Sequence, residues 1–234
     1  IWLSSNIVME KSKRIDPTEI PVSLIELFLS SDIAEVRQNG IKLLNQYPDY
    51  FIERKSNFIL NQIETSYEDV LKEILACIRK LIRNTSIGDA TAKHFNYCLI
   101  RKEKFEGAHK LINAFMLNEL QPYWNKGLTP KDITKLIHAQ YRQSPLTGYK
   151  ILQPYNRIND FTLGQIISFG NHEILPIRHW CWHYFKENVA RIRFERDKAL
   201  NLLDSKWDDT RAFAFQFFNT EFTAASWDSD TLIV

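Results

Sequence analysis

A small or slim residue recurs along this chain at steps that indicate a repeated structural unit. The steps are 34, 34, 40, 33 and 33 residues. The six positions are Gly40, Ile74, Ala108, Gly148, Cys181 and Ala214. A repeat of this length is typical of proteins in which one small unit buries its apolar face only by stacking on its neighbours. This register constrains the fold more than any other feature of the sequence.

Two apolar columns follow the recurring residue, three and four positions later. They are Leu43, Cys77, Leu111, Ile151, Tyr184 and Phe217, then Leu44, Ile78, Ile112, Leu152, Phe185 and Phe218. Residues three and four apart share one face of a helix, so each unit contains a helix with a buried stripe. Another apolar segment ending in a polar turn precedes this helix, as residues 24–29 precede Ser30-Ser31-Asp32. The predicted unit is therefore helix, polar turn, helix.

Composition agrees with an ordered helical chain. An apolar share of 44% and an aromatic share of 13% exclude disorder, because disordered chains lack both. Only 7 glycines and 8 prolines occur among 234 residues, which disfavours barrels and sandwiches, since their many tight turns need glycine. We expect Gly40 and Gly148 to lie where helices come close together.

Stacking such helix pairs buries a continuous core. The sequence therefore predicts an all-α fold, an α-solenoid of about six helix-turn-helix repeats of 33–40 residues within one domain, residues 1–234. The 40-residue step predicts an insertion near residues 121–129. The predicted repeats are residues 20–52, 53–86, 87–120, 128–158, 161–193 and 195–224, and residues 225–234 begin a further one.

An arginine near the start of the second helix carries a family resemblance. It occurs in Val36-Arg37, Ile177-Arg178 and Thr210-Arg211. Together with the polar turn and the helix pair, this motif resembles a HEAT repeat, most completely in residues 32–44 and 204–218. The resemblance covers nearly the whole chain, but the third and fourth repeats have Phe105 and Pro145 where the arginine is expected.

The HEAT resemblance implies a scaffold that binds other macromolecules. The aromatic-rich last two repeats also resemble repeat regions of large bacterial HEAT proteins. Because the chain starts at Ile1 rather than Met and stops at Val234, we expect a fragment of a larger, bacterial repeat protein.

Charge and cysteine content exclude several classes of protein. Thirty basic and 28 acidic residues leave a net charge of +2, which gives no overall attraction to nucleic acid or membrane. The three cysteines, Cys77, Cys98 and Cys181, have no CxxC spacing, which argues against a disulfide framework or a structural zinc site. With no visible signal peptide or membrane-spanning stretch, we expect a cytoplasmic protein without a membrane partner.

If the second helices line an inner surface, three further columns face solvent on each of them. These columns lie two residues before, two after and five after the recurring residue, and their eighteen positions hold six Lys or Arg and one Glu. The strip is predicted to bind a protein or an acidic peptide, with nucleic acid as an alternative. An ordinary solvated face explains the excess of lysine equally well. The candidate binding residues are Lys42, Lys72, Arg79, Lys110, Lys150, His179, His183 and Lys186.

Motifs for catalysis are missing, so the favoured function is a non-catalytic scaffold without cofactor or metal. The sequence lacks GxGxxG, GxxxxGK[ST] and GxSxG. His172 opens a near miss for HExxH, but Pro176 replaces the second histidine. His179 and His183 have a spacing able to hold zinc but no evident third ligand. Trp182 stands one residue after the recurring residue, where other repeats have Ile41, Leu75 and Phe215, and it is expected to pack against a neighbouring repeat.

One enzyme class stays open as an alternative. Small HEAT-like DNA glycosylases for alkylated bases use a basic concave surface with tryptophans and an aspartate close to the lesion, and this chain has Trp207-Asp208-Asp209 and Trp227-Asp228. Against this reading, both aspartate groups lie at turns that resemble helix caps, and the strip offers only Glu106.

Overall fold

The structure of the chain, a computed structural model, describes residues 2–12, 16–47, 50, 56–83 and 85–222. The residues in these ranges are mainly helical and include no strand, which confirms the all-α prediction. The helices are α1 (Trp2–Ser12), α2 (Val22–Leu29), α3 (Ala34–Gln46), α4 (Ser56–Asn61), α5 (Glu68–Leu81), α6 (Thr85–Leu99), α7 (Ala108–Asn118), α8 (Trp124–Gly127), α9 (Pro130–Ile137), α10 (Ser144–Leu152), α11 (Leu163–Gly170), α12 (Leu175–Glu187), α13 (Val189–Phe194), α14 (Arg196–Ala199) and α15 (Asp208–Glu221).

Sequential helix pairs form where the register predicts them, and in the first five the two helices pack together. In the last, the 3₁₀ turn Leu200–Leu202 contacts α15. The recurring slim residue is buried at all six positions. The two apolar columns that follow it are buried too, except that Leu111 is half-buried. Burial of these stripes is what holds each pair together, because each fully buried Leu, Ile or Phe side chain contributes about 1.5–3 kcal/mol.

The chain divides into two compact parts, Ile1–Asn156 and Arg157–Val234. In the N-terminal part, the second helices of successive pairs contact one another in the order α3, α5, α7, α10. The first helices α4, α6 and α9 also make consecutive contacts. This part is therefore built from two rows of helices, with α1 packed against α3. One domain over residues 1–234 stays a prediction.

In the C-terminal part, α11 packs against α12, and α12 contacts α15. The segment before α15 is not one helix. It consists of α13, α14 and a 3₁₀ turn at Leu200–Leu202. Its buried side chains, Ile192, Ala199 and Leu202, are separated by charged residues, so only short helical segments have an apolar face to bury.

The predicted insertion near residues 121–129 is folded. It forms a 3₁₀ turn at Gln121–Tyr123 followed by α8, which packs against α6. Trp124 is buried, and Gly127 approaches so closely that a Cβ there would lie 2.6 Å from the carbonyl oxygen of Asp89. The extra residues therefore add a short helix to the N-terminal part.

The motif arginines link each polar turn to the helix that follows. Arg37, Arg178 and Arg211 each donate a hydrogen bond to a carbonyl oxygen six residues earlier. The three acceptors are Ser31 at 2.9 Å, His172 at 2.9 Å and Ser205 at 2.6 Å. Because a buried carbonyl must be satisfied, these bonds stabilise the tight connection between paired helices.

Two of these arginines also reach the next helix pair. Arg37 pairs with Asp69 at 3.1 Å and lies 4.1 Å from the ring centroid of Tyr67. Arg178 repeats the arrangement with Asp209 at 2.6 Å and the Trp207 ring at 4.4 Å. In both cases the arginine contacts an aromatic ring and an aspartate at the start of the next second helix. We call this arrangement the helix-pair clamp.

Candidate functional site

All eight candidate binding residues of the strip are exposed on second helices. We define the basic face as its five members in the N-terminal part. Because α3, α5, α7 and α10 are consecutive neighbours, the structure places these five on adjoining helices. They are Lys42 on α3, Lys72 and Arg79 on α5, Lys110 on α7 and Lys150 on α10.

Two members of the basic face have acidic partners. Lys72 Nζ lies 2.7 Å from Glu68 Oε1, one turn earlier on α5. Arg79 Nε lies 3.0 Å from Glu119 Oε1, at the end of α7. Exposed pairs of this kind are worth about 0.2–1 kcal/mol, so a competing carboxylate could exchange for either partner.

Lys42, Lys110 and Lys150 carry the remaining charge of the basic face. No carboxylate of the described ranges lies within 4.0 Å of their ammonium groups. All three stand two residues after the recurring slim residue, so they share one register on three helices. Lys42 also borders an open cavity of about 470 Å³, which the half-exposed Trp2 lines as well.

The three strip members on α12 have different surroundings. His183 Nε2 lies 3.0 Å from Glu187 Oε1, and the His179 ring lies 4.6 Å from the ring of Trp182. Lys186 Nζ lies 5.7 Å from the Phe213 ring centroid. These contacts are local to the C-terminal part.

Trp182 packs against the next helix pair, as its position in the repeat predicts. Its ring stacks on Phe213 of α15 at 5.3 Å with an interplanar angle of 13°. Its indole Nε1–H donates to Thr210 Oγ1 at 3.2 Å. The prediction that Trp182 contacts a neighbouring helix pair is therefore confirmed.

The first Trp-Asp group belongs to the helix-pair clamp. Arg178, which is 6% exposed, donates to Asp209 and lies over Trp207. Burial raises the pKa of the Asp209 carboxyl, but hydrogen bonds from Arg178 and from the Thr210 backbone outweigh it and hold that pKa below its ordinary value. Because Asp209 is already bonded to Arg178 and Thr210, its position does not favour a catalytic role. Trp227-Asp228 lies outside the described residues.

The near miss for HExxH forms a turn. His172 Nδ1 accepts a hydrogen bond from the Ile174 N–H at 3.0 Å, and Pro176 lies in the first turn of α12. Proline tolerates that position because the N–H it lacks has no partner within the helix there. This histidine therefore stabilises the connection between α11 and α12.

All three cysteines are free and buried. Burial raises the pKa of the Cys77 thiol to about 11, and burial likewise raises the pKa of Cys181. Cys77 lies in an apolar column and Cys181 is one of the recurring slim residues, and both are buried as their positions predict. Thiols of this kind are poor nucleophiles because the thiolate form is disfavoured.

Cys98 lies in a different environment that the sequence reasoning missed. Its Sγ, a nitrogen of His94 and a carboxylate oxygen of Glu64 all lie within 4.8 Å of one another. Burial raises the pKa of the Cys98 thiol to about 12, and Glu64 adds to the rise. His94 and Cys98 are four residues apart, which is a visible signal, but Glu64 precedes His94 by 30 residues and no local spacing connects them.

The fold and its surface define an all-helical protein of sequentially packed helix pairs. In the described part of the chain, no helix is long and apolar enough to cross a membrane. Comparison with protein-family models, curated proteins and solved structures finds no match.

Proposed function

We propose that this chain is a HEAT-like α-solenoid that serves as a binding scaffold, and that its basic face binds an acidic segment of a partner protein. The observation that carries the proposal is the shared register of Lys42, Lys110 and Lys150 on consecutive contacting helices. Each lysine is exposed, and no carboxylate of the residues that the structure describes lies within 4.0 Å of its ammonium group.

The spacing of the basic face suits an extended peptide. Four helices packed 8–10 Å apart extend about 24–30 Å from α3 to α10. An extended chain advances about 3.3 Å per residue, so eight or nine residues would follow the row. Such a peptide would meet one cation on each of three helices and could exchange for Glu68 and Glu119 at the fourth.

Charge density favours a peptide over nucleic acid. Proteins that hold duplex DNA commonly make about 6–10 phosphate contacts, because the duplex carries one charge per 1.7 Å of axis. The basic face has five cations, two of which are paired with carboxylates of the same chain. Nucleic acid is therefore the alternative outcome of the test rather than the proposal.

Binding of a fluorescently labelled nine-residue glutamate peptide, followed by anisotropy, tests the proposed function. We expect binding that weakens as salt rises, because exposed charges separated by more than about 8–10 Å are screened near physiological ionic strength. The triple variant Lys42→Glu, Lys110→Glu, Lys150→Glu should bind at least about tenfold more weakly, since three contacts of about 0.5 kcal/mol each are lost and reversed.

A matched control changes three exposed lysines of the first-helix row, Lys93→Glu, Lys131→Glu and Lys135→Glu. It alters the net charge equally and should keep most of the affinity. Equal weakening in both variants, or none in either, would exclude the basic face as the site. Tighter binding of random duplex DNA than of the peptide would instead establish the nucleic-acid alternative.

A further inference from the structure

Glu64, His94 and Cys98 bring three kinds of metal ligand together in the N-terminal part. His94 and Cys98 lie one turn apart on α6, so they share a face of that helix. Glu64 ends the 3₁₀ turn Gln62–Glu64, which continues α4. The Nε2 atom of His94 lies 3.8 Å from Oε1 of Glu64. The contact between α4 and α6 creates this cluster.

The imidazole of His94 has a buried nitrogen without a hydrogen bond. Its Nε2 atom is shielded from solvent and has no hydrogen-bond partner among the described residues. Burying an unsatisfied polar atom is unfavourable, because its hydrogen bond to water is lost without replacement. A bond from this nitrogen to a metal ion would remove that cost, which singles out this histidine from the exposed ones on α12.

From this geometry we propose that Glu64, His94 and Cys98 bind a zinc-type divalent ion with three protein ligands. Thiolate, imidazole and carboxylate are the ligand types that Zn²⁺ takes in proteins. A tetrahedral zinc ion separates such ligand atoms by about 3.3–3.6 Å, given bonds of 2.0–2.3 Å. The His94 Nε2–Glu64 Oε1 distance is 3.8 Å, and all three ligand atoms lie within 4.8 Å of one another. Small side-chain rotations would shorten these distances to the values that zinc requires.

A cavity beside the cluster leaves room for a fourth ligand to the metal ion. Glu64 and Cys98 both line a cavity of about 200 Å³, together with His109. Three protein ligands and a free fourth position are typical of zinc sites that bind water or a small ligand. The Cys98 thiol loses its proton to water as the zinc–sulfur bond forms.

Positive residues near the cluster compete only weakly with a metal ion. Lys104 Nζ lies 4.0 Å from Glu64 Oε2, and half of the Lys104 side chain is exposed. Arg101 and Glu103 line the same cavity with opposite charges. Exposed ion pairs of this kind are weak, so a divalent ion can displace Lys104 from the carboxylate.

Titration of the purified, reduced chain with Co²⁺ tests the proposal, because cobalt in a zinc-type site reports its ligands in the absorption spectrum. We expect one Co²⁺ per chain, a thiolate-to-cobalt charge-transfer band, and loss of both when Zn²⁺ is added. Cys98→Ser should abolish the band, and Cys77→Ser, which changes a buried thiol in an apolar column, should keep it. Glu64→Gln and His94→Gln should weaken binding by more than about tenfold.

A second histidine pair provides the competing explanation. His179 and His183 lie four apart and exposed on α12, so they could hold a cation at the surface. The double variant His179→Gln, His183→Gln should keep the cobalt spectrum. A folded native chain without the thiolate band, or a band that survives Cys98→Ser, would overturn the proposal. If circular dichroism shows that Cys98→Ser is unfolded, the Co²⁺ affinity of Glu64→Gln becomes the test, because Glu64 is partly exposed. An affinity equal to that of the native chain would count against the site.

Discussion

The Arg178 guanidinium joins one helix pair to the next in the C-terminal part. It donates to the carbonyl oxygens of His172 at 2.9 Å and Glu173 at 3.0 Å, and to Asp209 at 2.6 Å. Its other face lies over the Trp207 ring. A planar group with five fixed donors suits this position, and a lysine ammonium would supply neither the bidentate reach nor the stacking.

Replacing Arg178 by alanine should lower the free energy of unfolding by about 2–3 kcal/mol, because the buried His172 carbonyl and the part-buried Glu173 carbonyl lose their donor. The part-exposed Asp209 adds little to this cost, since water can solvate it. Urea denaturation followed by circular dichroism measures the change.

Arg211→Ala is the matched control, since Arg211 occupies the same motif position after its own polar turn. It bonds Ser205 O and pairs with Asp208, whose side chain is 91% exposed. We expect a loss of about 1 kcal/mol, as for one hydrogen bond. Equal losses in both variants would mean that the contact with the next helix pair contributes nothing.

Asp209 should make stability depend on pH in the acid range. Its pKa in the folded chain lies below the ordinary value of 3.8, because the hydrogen bonds from Arg178 and Thr210 outweigh the effect of burial. A carboxyl with a lowered folded pKa contributes stability above its unfolded pKa and loses it as pH falls through the folded value. The stability gap between the native chain and Asp209→Asn should therefore be constant near neutral pH and narrow below about pH 4. A gap that widens in acid would contradict this assignment.

At the scale of single elements, Gly148 sets how closely α9 and α10 approach. A Cβ at this position would lie 2.7 Å from Ile137 Cγ1 and 2.9 Å from the Ile137 backbone nitrogen. Backbone atoms cannot move away as a flexible side chain can, so Gly148→Ala should destabilise the chain by about 1–3 kcal/mol. Thermal or urea denaturation provides the measurement.

Gly164 near the start of α11 is the control for that substitution. A Cβ there would meet no atom of the described residues within 4 Å. Gly164→Ala should leave stability unchanged or raise it by about 0.4–1 kcal/mol, because alanine restricts the unfolded chain. Destabilisation of similar size at both glycines would show that helix crossing distance is not the cause.

The sequence predicts the positions of the paired helices better than it predicts the structure of the segments that connect them. Leu43, Ile78 and Phe218 are buried where the period places them, because a stripe at three- and four-residue spacing is a local property of one helix. The insertion was visible only as six extra residues in one step, and its buried Trp124 depends on contact with α6. Phe215, one residue after the slim residue of its pair, is 60% exposed, whereas Ile41 at the equivalent position is buried. Burial at the edge of a stripe therefore depends on the neighbouring helix.

On the scale of the whole molecule, zinc binding should be coupled to folding. An ion that binds only the folded chain raises the free energy of unfolding by up to about 2.7 kcal/mol at a concentration one hundred times its Kd. Thermal unfolding with and without Zn²⁺ should therefore show a rise in Tm for the native chain and for Cys77→Ser. Cys98→Ser should show none, and an equal rise in all three would assign the effect to other ligands.

Local chemistry determined the helices, their buried stripes and the exposure of Lys42, Lys110 and Lys150, because each depends on spacing within one helix. The order of contacts α3, α5, α7 and α10 was also implied, since short turns leave successive pairs little choice of neighbour. Only the tertiary structure decided which distant side chains meet. Arg178 and Asp209 are 31 residues apart, and Glu64 and His94 are 30 apart, so their distances depend on how one pair sits on the next. The three-ligand cluster exists because packing of α4 against α6 places a carboxylate beside one particular turn of helix.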